Sequence, residues 1–143
     1  MTLFLKTLFI VHLFSMCLGI GLGIATAFAG AQITDVKSEA GRATLGLMKK
    51  YGGIGRVAIL LLWITGIAMV LFSYPDPLAL GWTFYAKIVA VIVLTGSVLK
   101  AGTLGPKIAG GDVDARALGK KLGMLNGLAA FIALVLAVLT FSL

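Results

Sequence analysis

Two side chains capable of acid–base or ligand chemistry, His12 and Lys87, stand inside long apolar stretches of this sequence. His12 is the only histidine, and no formally charged residue occurs from Thr7 to Ile33. A lone imidazole in such surroundings costs free energy unless a partner, a cofactor or a water-lined cavity offsets it. Neutral imidazole is the commonest metal ligand in biology and a usual axial ligand of haem iron. A lysine amine coordinates only once deprotonated, whereas as a cation it neutralises an anionic group. The metal-ligand candidate is therefore His12, and the cofactor-binding candidates are His12 and Lys87.

The acids exclude several alternatives. All five, Asp35, Glu39, Asp76, Asp112 and Asp114, lie outside the apolar stretches. Proton-coupled carriers use a carboxylate at depth, so a four-helix drug exporter is disfavoured. Neither a Cys/His set for zinc nor a His-plus-carboxylate set for a di-iron centre is present. The run Gly19-Ile20-Gly21-Leu22-Gly23 follows no strand, which removes a nucleotide-loop reading. Cys17, the single cysteine, has no partner for an intramolecular disulfide and suits a packing role.

The elements that must position His12 and Lys87 are membrane helices. The chain of 143 residues is 60% hydrophobic and 12% charged, with mean hydropathy +1.11. Soluble domains are nearer half apolar and a quarter charged. Four apolar segments, at about 3–33, 54–74, 82–104 and 122–143, each meet the ~20 residues a spanning helix needs. The fold class expected is all-α, a single integral membrane four-helix bundle. The first apolar run far exceeds the ~7–15 residues of a signal-peptide core, so it is expected to remain as a helix. Its Gly19–Gly23 pair has the small-xxx-small spacing of close helix packing.

Three connections join the segments. In the first, 34–53, the stretch Ala43–Met48 either lies on the membrane surface or extends the second helix, and Gly52, Gly53 and Gly55 interrupt the pattern. The second is a proline turn, Tyr74–Gly81, followed by the aromatic belt residues Trp82, Phe84 and Tyr85. The third, 105–117, is glycine-rich. The first and third connections with their flanks carry ten of the twelve Lys and Arg residues. The positive-inside rule then places both termini and the proline turn outside and the basic links in the cytoplasm. It also explains the net charge of +7 without a nucleic-acid partner. Lys49-Lys50-Tyr51-Gly52 and Lys120-Lys121-Leu122-Gly123 precede the second and fourth helices in the same way. A two-fold repeat of helix pairs and the ordinary charge of any two cytoplasmic links explain this equally well.

His12 lies about nine residues into the first helix and Lys87 about five into the third, so at ~1.5 Å per residue they differ in depth by roughly one turn. If those helices are neighbours, both side chains converge on one pocket. Two other readings stay open. Lys87 can snorkel to the interface and pair with Asp76. His12 can hydrogen-bond a carbonyl or a hydroxyl such as that of Ser97. Thr65, Thr95, Ser97 and Asn126 read as interhelical hydrogen-bonding residues, Met16, Met69 and Met124 as packing, and Trp63 and Trp82 as interface or packing.

Three short motifs carry a resemblance. Leu5-Lys6-Thr7-Leu8-Phe9-Ile10-Val11-His12 resembles the opening of HemJ-type protoporphyrinogen oxidases and their CopD-like relatives. Met48-Lys49-Lys50 through Gly66 resembles their second segment, and Trp82 with Lys87 the opening of their third helix. The resemblance implies a four-helix membrane fold in the bacterial inner membrane, haem b held through His12, a functional Lys87, and a porphyrin substrate. The tryptophan and arginine that usually follow in the family's first helix do not occur between Ile20 and Ile33. The functional expectation is a haem-b-binding membrane protein active in porphyrin oxidation or electron transfer. A non-catalytic accessory or assembly subunit of a larger membrane complex is the competing class, and the assembly expected is a homo-oligomer or a complex with other membrane subunits. A copper-handling protein is a third, weakened by the lack of clustered Met and His.

Overall fold

In a bilayer no water satisfies backbone N–H and C=O groups, so each spanning segment must pair its own, as a helix does. The chain does so four times. Its helices are α1 (Leu3–Gln32), α2 (Glu39–Ser73), α3 (Trp82–Ala109) and α4 (Val113–Phe141). A computed structural model describes residues 3–73 and 81–141. All four helices are long and apolar enough to cross a membrane, as a multi-pass membrane protein requires. The expected proline turn and Asp76, with its proposed pairing to Lys87, lie outside the described residues.

Both basic links are far shorter than expected. The first shrinks to residues 33–38, because α2 begins at Glu39 and runs through Gly52, Gly53 and Gly55 without a break. Each glycine costs a helix about 1 kcal/mol relative to alanine in water. That penalty is outweighed where an open backbone would have to be desolvated. Ser38 starts α2: its Oγ accepts from the Gly41 N–H at 3.0 Å and donates to the Asp35 carbonyl at 2.7 Å. The Lys37 N–H in turn donates to Asp35 Oδ1 at 2.8 Å.

The second basic link is only residues 110–112. The Gly111 N–H reaches the Ile108 carbonyl and the Asp112 N–H the Lys107 carbonyl. This is the Schellman closure, and it requires the left-handed backbone that Gly111 adopts at φ 89°. Asp112 then caps the next helix, its Oδ1 accepting from the Ala115 N–H at 2.9 Å. One residue thus ends α3 and begins α4, and Pro106, in the last turn of α3, interrupts neither.

Packing makes two hairpins. α1 lies along α2 and α3 along α4, while α2–α3 and α1–α4 provide the lesser contacts between hairpins. α1 and α3 therefore sit across the bundle diagonal, which corrects the expectation that they are neighbours. The centre holds small residues, with Ser15, Ala58, Thr65, Ala90, Ser97 and Ala129 all buried. Phe14, Phe28, Phe72 and Phe131 face outward. Lipid tails are as apolar as leucine, so large side chains gain little by turning inward, and small ones allow close helix approach. At the end opposite the two tight links Phe4 and Phe72 close the first hairpin edge to face, with ring centroids 5.3 Å apart.

The glycine face of α1 is not buried in this way. A Cβ at Gly19, Gly21 or Gly23 would meet nothing within 4 Å, and only one at Gly30 would meet a neighbouring helix, through Met48. Close packing through the Gly19–Gly23 pair is thus not a feature of the single chain. Gly23→Leu is expected to change stability by no more than about 0.5 kcal/mol, as for an open surface position. Thermal unfolding in detergent checks this, and a larger loss would reveal that a second chain covers the face.

Candidate functional site

His12 sits on the face of α1 turned towards α2, half-buried. It is received there by two adjacent residues of α2. Gly66 leaves room for the ring, since a Cβ at that position would stand 3.3 Å from the His12 Cε1. Thr65, itself buried, lies 2.8 Å from Nδ1 through its hydroxyl. The Thr65 hydroxyl proton goes to the Leu61 carbonyl at 2.6 Å. Its oxygen must then accept, so Nδ1 carries the ring proton and donates it to Thr65. In the neutral ring this assigns the lone pair to Nε2.

Lys87 is half-buried on α3, the helix diagonal to α1. The two sequence candidates therefore stand on diagonal rather than adjacent helices. The hydrogen-bonding alternative for His12 resolves onto Thr65. Ser97 instead donates to Asn126 Oδ1, joining α3 to α4.

Further polar contacts hold the site's walls in place. Thr95 donates to the Val91 carbonyl at 2.7 Å and accepts from Trp63 Nε1–H at 3.1 Å. This bond ties α2 to α3 across the hairpin boundary, so Trp63 is more than a packing residue. At the opposite end of the bundle Arg116 of α4 donates to the Ile33 carbonyl just beyond α1. The sequence signalled Thr65, Thr95, Ser97 and Asn126 as interhelical residues, and they are. It carried one unused signal for the His12 partner: Thr65 lies eight residues from the C-terminal end of α2, level with His12 in an antiparallel hairpin. It carried none for Trp63 or Arg116.

The donor set discriminates between metal groups. Among the described residues no three His, Cys, Asp or Glu side chains come together. A bare copper or zinc ion would find one nitrogen where it needs three or four ligands. Haem iron brings four porphyrin nitrogens and asks the protein for one or two more. A single positioned imidazole matches the ligand count that haem iron asks of a protein rather than that of a bare ion. The grooves of about 270 Å³ on α1 and about 380 Å³ between α3 and α4 are lined by other residues.

No family model, no curated protein and no solved structure matches this chain.

Proposed function

We propose that this chain is a haem-b-binding membrane protein, in which His12 Nε2 would ligate the iron and Lys87 would offset the charge of a porphyrin propionate. The single observation that carries the reading is the hydrogen bond from His12 Nδ1 to Thr65, which leaves the lone pair on the opposite nitrogen. Ligating histidines are typically oriented in this way by a hydrogen bond from the other ring nitrogen. Haem so held supplies one-electron redox chemistry, suited to porphyrin oxidation or to electron transfer. Thr65 holds the ring's tautomer and orientation, Gly66 lets it lie against α2, and Lys87 attracts an anionic edge.

Thr65→Val keeps the side-chain shape and deletes the acceptor. Haem affinity is expected to fall about 10- to 100-fold, the usual effect of losing a ligand's orienting partner. A haem titration of the purified variant followed by absorbance measures this. Affinity equal to wild type would remove Thr65 from the site.

The proposed setting is the bacterial inner membrane, with both termini outside and the two tight basic turns in the cytoplasm. The concentration of ten of twelve Lys and Arg residues at the basic end supports it. In a Cys17→Ala background, Asp114→Cys should resist a membrane-impermeant thiol reagent in intact cells and react after lysis. Labelling in intact cells would reverse the orientation. A second reading, a non-catalytic accessory or assembly subunit of a larger complex, is favoured by the open glycine face of α1. It predicts the same topology and no bound haem.

A further inference from the structure

On the outer side of the second hairpin, Ala86, Val89 and Val93 of α3 and Leu125, Leu128 and Ile132 of α4 line an apolar groove of about 380 Å³. Following each wall towards the basic end, the helical repeat meets a lysine. Lys100 lies seven residues beyond Val93, and Lys121 lies four before Leu125 and seven before Leu128. Positions four and seven apart share a helix face. Both lysines are exposed.

Their levels agree as well. The hydrogen bond between Ser97 and Asn126 sets these two residues abreast. Lys100 is three residues inward of Ser97 and Lys121 five inward of Asn126. At ~1.5 Å rise per residue the two differ in depth by only about 3 Å. Packed helix axes stand about 8–10 Å apart, so two lysine side chains span that gap to one anion. No carboxylate competes, because α3 contains none and α4 only Asp114, at its start.

We propose that this groove binds an anionic phospholipid from the leaflet at the basic end of the bundle. Lys100 and Lys121 take the phosphate, and one acyl chain lies between α3 and α4. The length is right: Lys100 to Val89 is eleven residues, about 16 Å of helix, against a half-bilayer of roughly 15 Å. Basic clefts between membrane helices on this side are a recognised setting for anionic headgroups. A second copy of the chain docked here in the same orientation about a two-fold axis would bring four ammonium groups to one level. Like-charge repulsion opposes that arrangement.

Native mass spectrometry of delipidated protein, mixed with dioleoylphosphatidylglycerol or dioleoylphosphatidylcholine, tests the proposal. Retention of the phosphatidylglycerol is expected to exceed that of phosphatidylcholine at least tenfold. The double variant Lys100→Gln/Lys121→Gln should abolish the difference, while Lys49→Gln/Lys50→Gln on α2 should preserve it. Val93→Trp, which fills the groove without changing charge, should also lower retention of the anionic lipid. Circular dichroism establishes that each variant keeps its helix content. Equal binding of the two lipids, unchanged retention in both the lysine and the groove variants, or an equal loss in the α2 variant would overturn the proposal. So would lipid-free dimers that Val93→Trp converts to monomers, which would assign the groove to a second copy.

Discussion

Replacing His12 with alanine is expected to abolish haem retention, lowering affinity by more than the roughly 100-fold that loss of an orienting partner alone can produce. His12 is the only imidazole in the chain, so no other histidine can take over as ligand. The fold should tolerate the change. The lost hydrogen bond to Thr65 is worth about 0.5–1.5 kcal/mol, and Thr65 keeps its own bond to the Leu61 carbonyl. Helix content should therefore match wild type while the haem absorbance disappears. Lys87→Met should behave differently, weakening retention and leaving the axial coordination spectrum of the remaining haem unchanged. If His12→Ala takes up haem with wild-type affinity and spectrum, the ligand lies elsewhere.

The largest effect on stability is expected at Gly41, far from the site. A Cβ there would fall 2.1 Å from the Asp35 carbonyl oxygen, a backbone atom that no rotamer change can move aside. Accommodating Gly41→Ala means opening the turn of residues 33–38 or shifting the first turn of α2. Either disturbs the Ser38 cap and the Ile33 carbonyl that Arg116 holds. Overpacking of this kind costs about 1–3 kcal/mol. Thermal unfolding in detergent should show a clear fall in midpoint for Gly41→Ala and almost none for Gly23→Leu. Equal midpoints for Gly41→Ala and wild type would mean that the turn is looser than its hydrogen bonds indicate.

The contrast between these glycines shows what was legible in the sequence. The four helices and their apolar lengths were readable, because hydrocarbon thickness fixes the number of apolar residues needed. Which glycines are packed was not. Apolar residues occupy both the buried and the lipid-facing sides of every helix, so hydrophobic periodicity does not mark the core as it does in water. Gly19 and Gly23 have the spacing of a packing motif and meet nothing, whereas Gly41, without such a motif, is buried against backbone. The long basic links were misjudged for a related reason. Gly52, Gly53 and Gly55 punctuate soluble chains, but here the helix passes through them.

Of the candidate site, the residue types were legible and the partners were not. His12 and Lys87 stood out because charge and imidazole are rare in apolar segments. Their meeting was expected on the ground that the first and third helices adjoin. Those helices instead lie across the bundle diagonal. Thr65 was recognisable as an interhelical donor or acceptor, but its pairing with His12 depends on the antiparallel register of α1 and α2, which single-helix patterns do not contain. Trp63 and Thr95 depend in the same way on how the two hairpins meet.

The central claim, that His12 presents Nε2 to a haem, is tested most directly by the absorption spectrum of the purified wild-type protein. The protein would be produced with haem in excess and measured oxidised and then reduced. The account predicts a Soret band at about one haem per chain, shifting on reduction as expected for histidine-ligated haem b. A spectrum with protein absorbance alone would contradict it and leave the chain as a subunit without a haem of its own.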